Sequence, residues 1–354
     1  MESAILDQLG WSRWFEERFR PHRDEGLEPG RVSADYGVAQ AVSTAQGDLT
    51  GTVTGRLRHE AANAAGLPVV GDWVAFRRET GERGSIHAVL ERRTAFSRKV
   101  PGAVTEQQVM ASNIDRVFVV SALDADPNLA KLERYLTIGW ESGALPVLVL
   151  TKADLNQDLE SVRPRVEAIA PGATVVITSS VTGEGLDQVR AQLAHGLTGV
   201  LVGPSGVGKS TLINCLTGNE QLATGNVRKD GKGRHTTTHR QLIAIPSGGM
   251  IIDTPGLREL QLWHGDEGLN QAFDDVAVLA ATCRFNDCEH DSEPGCAVQA
   301  AIATGGLPPE RLASYRKLER EIRAMRRKED WRIQAEDKNR WRTITKAMRT
   351  RPKK

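Results

Sequence analysis

Cysteine is scarce in this chain, with four in 354 residues, too few for the disulfide framework of a secreted domain. No apolar run approaches the roughly 20 residues that a membrane-spanning helix needs. The opening Met1-Glu2-Ser3-Ala4-Ile5-Leu6-Asp7 lacks the basic and apolar regions of a signal peptide. Net charge is also nearly absent, at +1, although it is unevenly spread. These absences lead to the expectation of a cytoplasmic protein with no membrane partner. The length suggests two or three domains, and 40% hydrophobic residues suffice for ordinary cores.

The stretch Gly203-Pro204-Ser205-Gly206-Val207-Gly208-Lys209-Ser210 follows the apolar run Gly199–Val202 and precedes a helical reading from Thr211. Strand, glycine-rich loop and helix in that order, with G-x-x-x-x-G-K-[ST] spacing, make a P-loop. Glycines let successive backbone N–H groups turn inward around a polyphosphate, and the helix N-terminus adds partial positive charge. Lys209 is the candidate for the β- and γ-phosphates, and the Ser210 hydroxyl for Mg²⁺.

Four regions are expected. Residues 1–31 form an N-terminal extension, with Leu9, Trp11, Trp14, Phe15 and Phe19 at loosely helical spacing before Pro21 and Pro29-Gly30 stop any helix. This stripe packs on its own protein or meets a partner. Residues 32–100 read as short strands, among them Val38–Val42, Leu49–Thr54, Val69–Phe76 and Ser85–Leu90. They fit a small β-barrel such as an OB-fold. Arg56, Arg58, Arg77, Arg78, Arg92 and Arg93 make it basic, which suits nucleic acid or is simply a solvated surface. Residues 101–265 alternate strand and helix. Near-continuous apolar strands at 116–120, 146–150, 173–178, 200–202, 242–245 and 250–252, with helices such as 128–141, 186–195 and 209–217, imply a largely parallel sheet covered on both faces. Residues 266–354 are expected to be mainly helical.

Further motifs stand at strand ends. Asp253-Thr254-Pro255-Gly256 follows Met250–Ile252, a D-x-x-G that puts Asp253 near Mg²⁺ through water and the Gly256 N–H against the γ-phosphate. Thr151-Lys152-Ala153-Asp154 ends the strand before it and matches [NT]-K-x-D. An ionised carboxylate only accepts, so Asp154 takes both guanine N1–H and the exocyclic NH₂, a donor pair that adenine lacks. Thr151 keeps a hydroxyl but loses the amide's second group, which predicts somewhat weaker base binding. The loop from Ser179 and Ser180 to Leu186 resembles one whose backbone contacts guanine O6. The base motifs precede the P-loop, a cyclic rotation of the usual GTPase order.

Cys283, Cys288, His290 and Cys296 give C-x₄-C-x-H-x₅-C within fourteen residues. Three thiolates and an imidazole form a tetrahedral Zn²⁺ set with no open position, hence a structural site; free buried cysteines are the alternative. From Glu310 to Lys354 there are 17 Lys or Arg against 7 Asp or Glu. Leu312, Tyr315, Leu318, Ile322 and Met325 keep helical spacing there, and a basic helical tail favours polyanions.

The rotated motifs, the barrel before them and the cysteine cluster after them closely resemble the bacterial ribosome small-subunit-dependent GTPase A family, which is circularly permuted. The resemblance covers nearly everything beyond the first 30 residues, including Gly233-Arg234-His235-Thr236-Thr237-Thr238 of the first switch. It implies that Thr237 ligates Mg²⁺ and that one Zn²⁺ is bound per chain. It further implies a monomer that binds GTP and GDP, engages the small ribosomal subunit and its rRNA, and couples hydrolysis to late maturation of that subunit. Leu257 stands where Ras-like enzymes carry the glutamine that positions water, so intrinsic hydrolysis should be slow. The resemblance offers His235 for that role, with Lys209 and Thr237 completing the catalytic set. The rivals are a P-loop ATPase or kinase, against which Asp154 stands, and an RNA-binding assembly factor whose nucleotide pocket is a weakly active switch.

Overall fold

The computed structural model of the chain describes residues 2–61, 64–99, 107–218, 240–253 and 266–327. Five strands come first: β1 (Glu28–Asp35), β2 (Gln40–Thr44), β3 (Gly47–Val53), β4 (Trp73–Arg78) and β5 (Arg83–Val89). Their neighbour order is β1-β2-β3-β5-β4, and β4 returns to β1 to close a barrel. All pairs are antiparallel except β3 with β5. Five strands closed in this way are the OB-fold expected from the short-strand pattern. Val32, Val42, Leu49, Val74, Phe76 and Ile86 fill the interior. The segment Glu28–Asp35 has few apolar residues to mark it as a strand, and Pro29-Gly30, read as a helix stop, lies inside it.

Helices Glu2–Gln8 and Arg13–Arg23 precede the barrel. Phe15 and Phe19 are fully buried with Trp73 and Leu90, and the Trp11 and Trp73 rings meet at 4.6 Å between centroids. The N-terminal aromatic stripe therefore packs on its own protein. Pro21, read as a helix stop, lies within the second helix, two residues before its end.

A hairpin that has no clear sequence period, β6 (Ala95–Lys99) with β7 (Gln107–Ser112), leads into the second sheet. Its strands are β8 (Arg116–Ala122), β9 (Leu145–Thr151), β10 (Thr174–Ile177), β11 (Thr198–Val202), β12 (Arg240–Ala244) and β13 (Met250–Asp253). They stand in the order β10-β9-β8-β11-β13-β12, parallel except for β12. Alternate residues serve opposite faces. Val117, Val119, Leu148 and Leu150 pack with Leu132, Leu136 and Val166 of two helices on one side, and Phe118, Val120, Val147 and Val149 pack with Leu212, Ile213 and Leu216 on the other. Both faces are thus covered, as the unbroken apolar strands require.

The C-terminal helices, Asp266–Ala272, Asp274–Ala280, Ala297–Ala303 and one spanning 309–327, share a single core with the first of those faces. Leu269, Phe273, Val276, Val298, Leu312, Leu318 and Ile322 belong to it. A Cβ on Gly268 would lie 2.6 Å from the Thr137 carbonyl, so only glycine admits this approach to helix Leu129–Glu141. Buried Arg311 fastens the seam: it donates to Glu133 Oε1 at 2.8 Å, to both Asp275 oxygens at 2.9 Å and to the Ala272 carbonyl at 2.6 Å. Its guanidinium also lies 4.0 Å over the Phe273 ring. Burial pushes the Glu133 carboxyl above its ordinary pKa, and the bonds from Arg311 and Ser314 oppose this only in part. Arg311→Ala leaves Glu133 and Asp275 without their partner and should cost about 3–5 kcal/mol in denaturant unfolding. A loss under about 1 kcal/mol would place the seam's strength in its apolar contacts alone.

Candidate functional site

Parallel strands bring their carboxyl ends to one edge, and the motif loops leave from there. β11 runs directly into the P-loop at the centre of the sheet, between β8 and β13. Gly203 has φ +146°, and a Cβ there would lie 2.3 Å from the Val120 carbonyl; the turn out of β11 has no room for a side chain. Gly206 and Gly208 also have positive φ, and the loop ends at helix Lys209–Thr217. Ser205 and Gly206 are exposed, as is Thr211 in the first helical turn, while Pro204 and Ser210 are half-buried. Lys209 Nζ donates to the carbonyls of Gly203 at 2.8 Å and Pro204 at 2.5 Å, so the ammonium already lies across the loop.

Thr151, at the end of β9, is 2% exposed. Its hydroxyl donates to the Val207 carbonyl at 2.6 Å, with the Ser121 carbonyl at 3.2 Å. It is a strut between the base-motif strand and the P-loop, and its one proton is committed there. Lys152 follows in the left-handed region, φ 57°, with Nζ 2.5 Å from Asp124 Oδ2. Asp154 is exposed in a short 3₁₀ turn, and its Oδ1 accepts from the Ser179 hydroxyl at 2.5 Å. Ser179, fully buried, in turn accepts from the Val181 and Thr182 backbone N–H groups at 3.2 Å. Two strand ends thus fix the carboxylate's orientation, a link that the separate motifs did not disclose. Ser180 is half-buried beside it.

Asp253 closes β13, next to β11. Thr151, Asp154, Ser179, Lys209 and Asp253 therefore share one edge of one sheet. Gly256, Leu257, His235 and Thr237 lie outside the described residues.

The cysteine cluster forms a second centre. The donor atoms of Cys283, Cys288, His290 and Cys296 all lie within 4.8 Å of one another. Cys283 Sγ is 3.5 Å from His290 Nδ1 and 3.9 Å from Cys296 Sγ, and Cys296 Sγ is 3.6 Å from His290 Nδ1. Ligand bonds of about 2.0–2.3 Å give a tetrahedron edges of about 3.5–3.8 Å, so the spacing and the donor chemistry both fit Zn²⁺. Cys296 caps helix Ala297–Ala303, accepting from the Gln299 N–H at 3.4 Å. Gln299 Nε2 holds the His290 carbonyl at 2.5 Å, and His290 has φ 60°. Glu293 accepts from the N–H groups of Glu289, Asp291 and Ser292 and so folds the loop. Burial opposes ionisation of Cys283, but the Ala297 and Val298 N–H groups and the neighbouring thiols bring its pKa below the ordinary value. Burial and the adjacent sulfurs push Cys288 up to about 11.

The arginines expected to make the barrel basic are largely engaged within the chain. Arg92 pairs with buried Asp72, Arg93 with Asp115, Arg56 with Glu60 and Arg78 with Glu28, and Arg77 donates to the Glu25 carbonyl. Helix 309–327 keeps Lys317, Arg320 and Arg327 exposed, opposite its buried stripe, and Arg326 exposed in its last turn.

Known proteins share this arrangement. The family model described as RsgA GTPase matches residues 89–263. The small ribosomal subunit biogenesis GTPase RsgA of Opitutus terrae is 46% identical over 357 residues, spanning 98% of this chain and 97% of its own. RsgA 2 of Lactiplantibacillus plantarum is 48% identical over 303 residues, 85% of each chain. The crystal structure of YjeQ from Thermotoga maritima superposes with a TM-score of 0.65 at 27% identity, covering 84% of this chain and 98% of that one. YloQ, described as a circularly permuted GTPase, gives 0.63 at 23% identity over 84% and 96%, a likeness of fold. With relatives this similar over nearly its whole length, the chain belongs to the RsgA GTPase family.

Proposed function

We propose that this chain is a Mg²⁺-dependent GTP hydrolase of small ribosomal subunit biogenesis, holding GTP at the edge shared by the P-loop, the Thr151–Asp154 turn and Asp253. The observation that carries the reading is the bond from Ser179 to Asp154 beside the Thr151 strut to Val207. It orients an acceptor-only carboxylate where a base would lie when phosphates occupy the P-loop. In this reading Lys209 turns from the loop carbonyls to the β- and γ-phosphates, Ser210 and Asp253 serve Mg²⁺, and Lys152 lies along the base. Bound Mg²⁺ neutralises charge on the β- and γ-oxygens. Thr237 and His235 complete the proposal as metal ligand and water-positioning group, on resemblance alone. The Thr151 hydroxyl acts on the P-loop and not on the base, so guanine selection rests on Asp154.

The cysteine cluster holds a structural Zn²⁺ in this proposal, and the exposed bases of helix 309–327, together with the Lys and Arg of residues 328–354, meet rRNA. The proposed regions are an extension over 1–31, a barrel over 32–100, a GTPase domain over 101–265 and a zinc domain over 266–354. The protein works as a cytoplasmic monomer that is released from the subunit on hydrolysis.

Asp154→Asn should weaken GTP binding by at least about a hundredfold, because a buried donor pair on the base loses its acceptor. It should improve binding of the xanthine nucleotide, whose 2-oxo group needs a donor. Competition binding of the two nucleotides checks both.

Elemental analysis of protein purified without chelator should find about one Zn²⁺ per chain. Because the zinc helices share a core with the sheet, chelation should lower the melting temperature of the GTPase domain as well.

Small ribosomal subunits should raise GTP turnover by about a hundredfold or more, as groups supplied in trans do elsewhere. The effect should weaken steeply between about 50 and 200 mM salt. Removing 310–354 would strip Arg311, Leu312, Leu318 and Ile322 from the core, so the informative truncation begins after residue 327. That cut removes ten Lys or Arg and four Asp or Glu. It should weaken subunit binding while leaving basal hydrolysis nearly intact. Equal subunit affinity for the GTP and GDP forms would sink the ribosomal reading.

A further inference from the structure

The barrel and the GTPase sheet are one hydrogen-bonded surface, and among the described residues their strands pair at one short seam. One edge of β1 faces β2 from Gly30 to Asp35. The other edge is divided: Glu28–Arg31 pair with β4 to close the barrel, whereas Ala34 and Asp35 pair with Gln241 and Arg240 of β12. The division falls at an irregularity between Val32 and Ala34, the type of bulge that re-aims a strand and increases its twist. Strand β1 thus parts from β4 just where it meets the GTPase sheet, while still paired with β2.

What lies across that seam gives it consequence. Gln241 pairs with Ala34 on one side and with Asp253 on the other. Ala34, Gln241 and Asp253 therefore form one row across three strands, with a single residue separating the barrel from the carboxylate assigned to Mg²⁺. Strand β12 would otherwise be the free edge of the sheet, and among its described neighbours on that side only β1 holds it. Among the described residues the β1–β12 pairing covers Ala34 and Asp35, against four successive pairs between β12 and β13. A force on the barrel is taken up first where the ladder is shortest.

We infer that β1 is a positioning strand for Asp253: its pairing with β12 sets where that carboxylate stands, and displacement of the barrel reaches the metal end of the nucleotide site through this row. The inference rests on the proposed role of Asp253 with Mg²⁺, and it supplies a route by which a load on the barrel alters hydrolysis. The loaded and unloaded barrel would then differ in their demand for Mg²⁺ and not in their grip on the base, since Asp154 and Ser179 sit at β9 and β10, on the opposite half of the sheet.

Two full-length variants test it. Ala34→Pro puts a rigid ring where β1 meets both β2 and β12, and Ala34→Cys with Gln241→Cys allows a reversible cross-link between neighbouring antiparallel residues. The binding readout is the Mg²⁺ concentration that half-maximally slows release of a fluorescent, non-hydrolysable GTP analogue. Ala34→Pro should raise that concentration by about fivefold or more, while Mg²⁺-free affinity for the analogue stays within about twofold of the parent. The oxidised cysteine pair should keep the parent's Mg²⁺ requirement and lose stimulation by small subunits by about tenfold or more, regaining it on reduction, with the oxidant-treated parent as control. A parent-like Mg²⁺ requirement in Ala34→Pro overturns the inference, as does a cross-linked form stimulated as well as its reduced form. If Ala34→Pro does not fold, the cross-linked form decides alone. If subunits fail to stimulate the parent protein, the ribosomal reading falls and the release measurements decide the positioning role by themselves.

Discussion

A parallel sheet delivers the carboxyl ends of its strands to a single edge, whatever the order in which the chain visits them. That constraint underlies the nucleotide site of this protein. In chain order the base motifs come first, at β9 and β10, then the P-loop after β11, then Asp253 after β13. In space β11 is central, with β8, β9 and β10 on one side and β13 on the other. Cutting and rejoining the chain elsewhere leaves each loop at the same edge, because the position of a loop depends on its strand's neighbours and not on its place in the sequence. The Thr151 hydroxyl on the Val207 carbonyl and the Ser179 hydroxyl on Asp154 are the short links that convert a shared edge into one site.

The two flanking modules are attached by different physics. The C-terminal helices are continuous with the core under the sheet, and Arg311, 3% exposed, ties Glu133 of one unit to Asp275 of the other. Removing one member of such a cluster strands a charge in a low-dielectric interior. The barrel, by contrast, meets the sheet edge through Ala34 and Asp35. Beside that seam, buried Arg31 donates to the carbonyls of Leu9, Gly71 and Asn113, and so gathers the N-terminal helices, the barrel and the approach to β8. Burial brings the pKa of Arg31 down to about 10, against the pull of Asp115, and the carbonyl bonds compensate its desolvation.

Legibility in the sequence followed the strength of local signals. The apolar strands of the parallel sheet are buried on both faces and so read as unbroken runs; their edges fell within a residue or two of the observed bounds. The barrel's β2–β5 showed alternation and turn residues, but Glu28–Asp35, with Pro29, Gly30 and Arg31 in its first half, carried none of the usual strand chemistry. It is a strand because both its edges find partners. The motifs named the candidate residues at the nucleotide edge, but not the Ser179–Asp154 bond or the job of Thr151, which join segments far apart in sequence. Of the barrel arginines, Arg56, Arg58 and Arg77 are exposed, whereas Arg92 is committed to Asp72, which is completely buried, a pairing across 20 residues that no local pattern contains. His235, Thr237 and Gly256 lie outside the described residues.

The unequal seams also bear on how a signal would cross the molecule. A module that shares a core with the sheet moves with it, since a close-packed interior transmits displacement instead of absorbing it. The C-terminal helices are therefore suited to reporting the position of helix Leu129–Glu141, against which Gly268 is packed too closely for any side chain. The barrel is paired with β12 by a short ladder beside a bulge, and its Val70 is buried in the core beneath the sheet. Of the two attachments, the weaker one adjoins the row that ends in Asp253. The shorter ladder and the proposed metal end thus fall on the same side of the sheet, while Asp154 and Ser179, proposed to meet the base, stand at β9 and β10 on the other half.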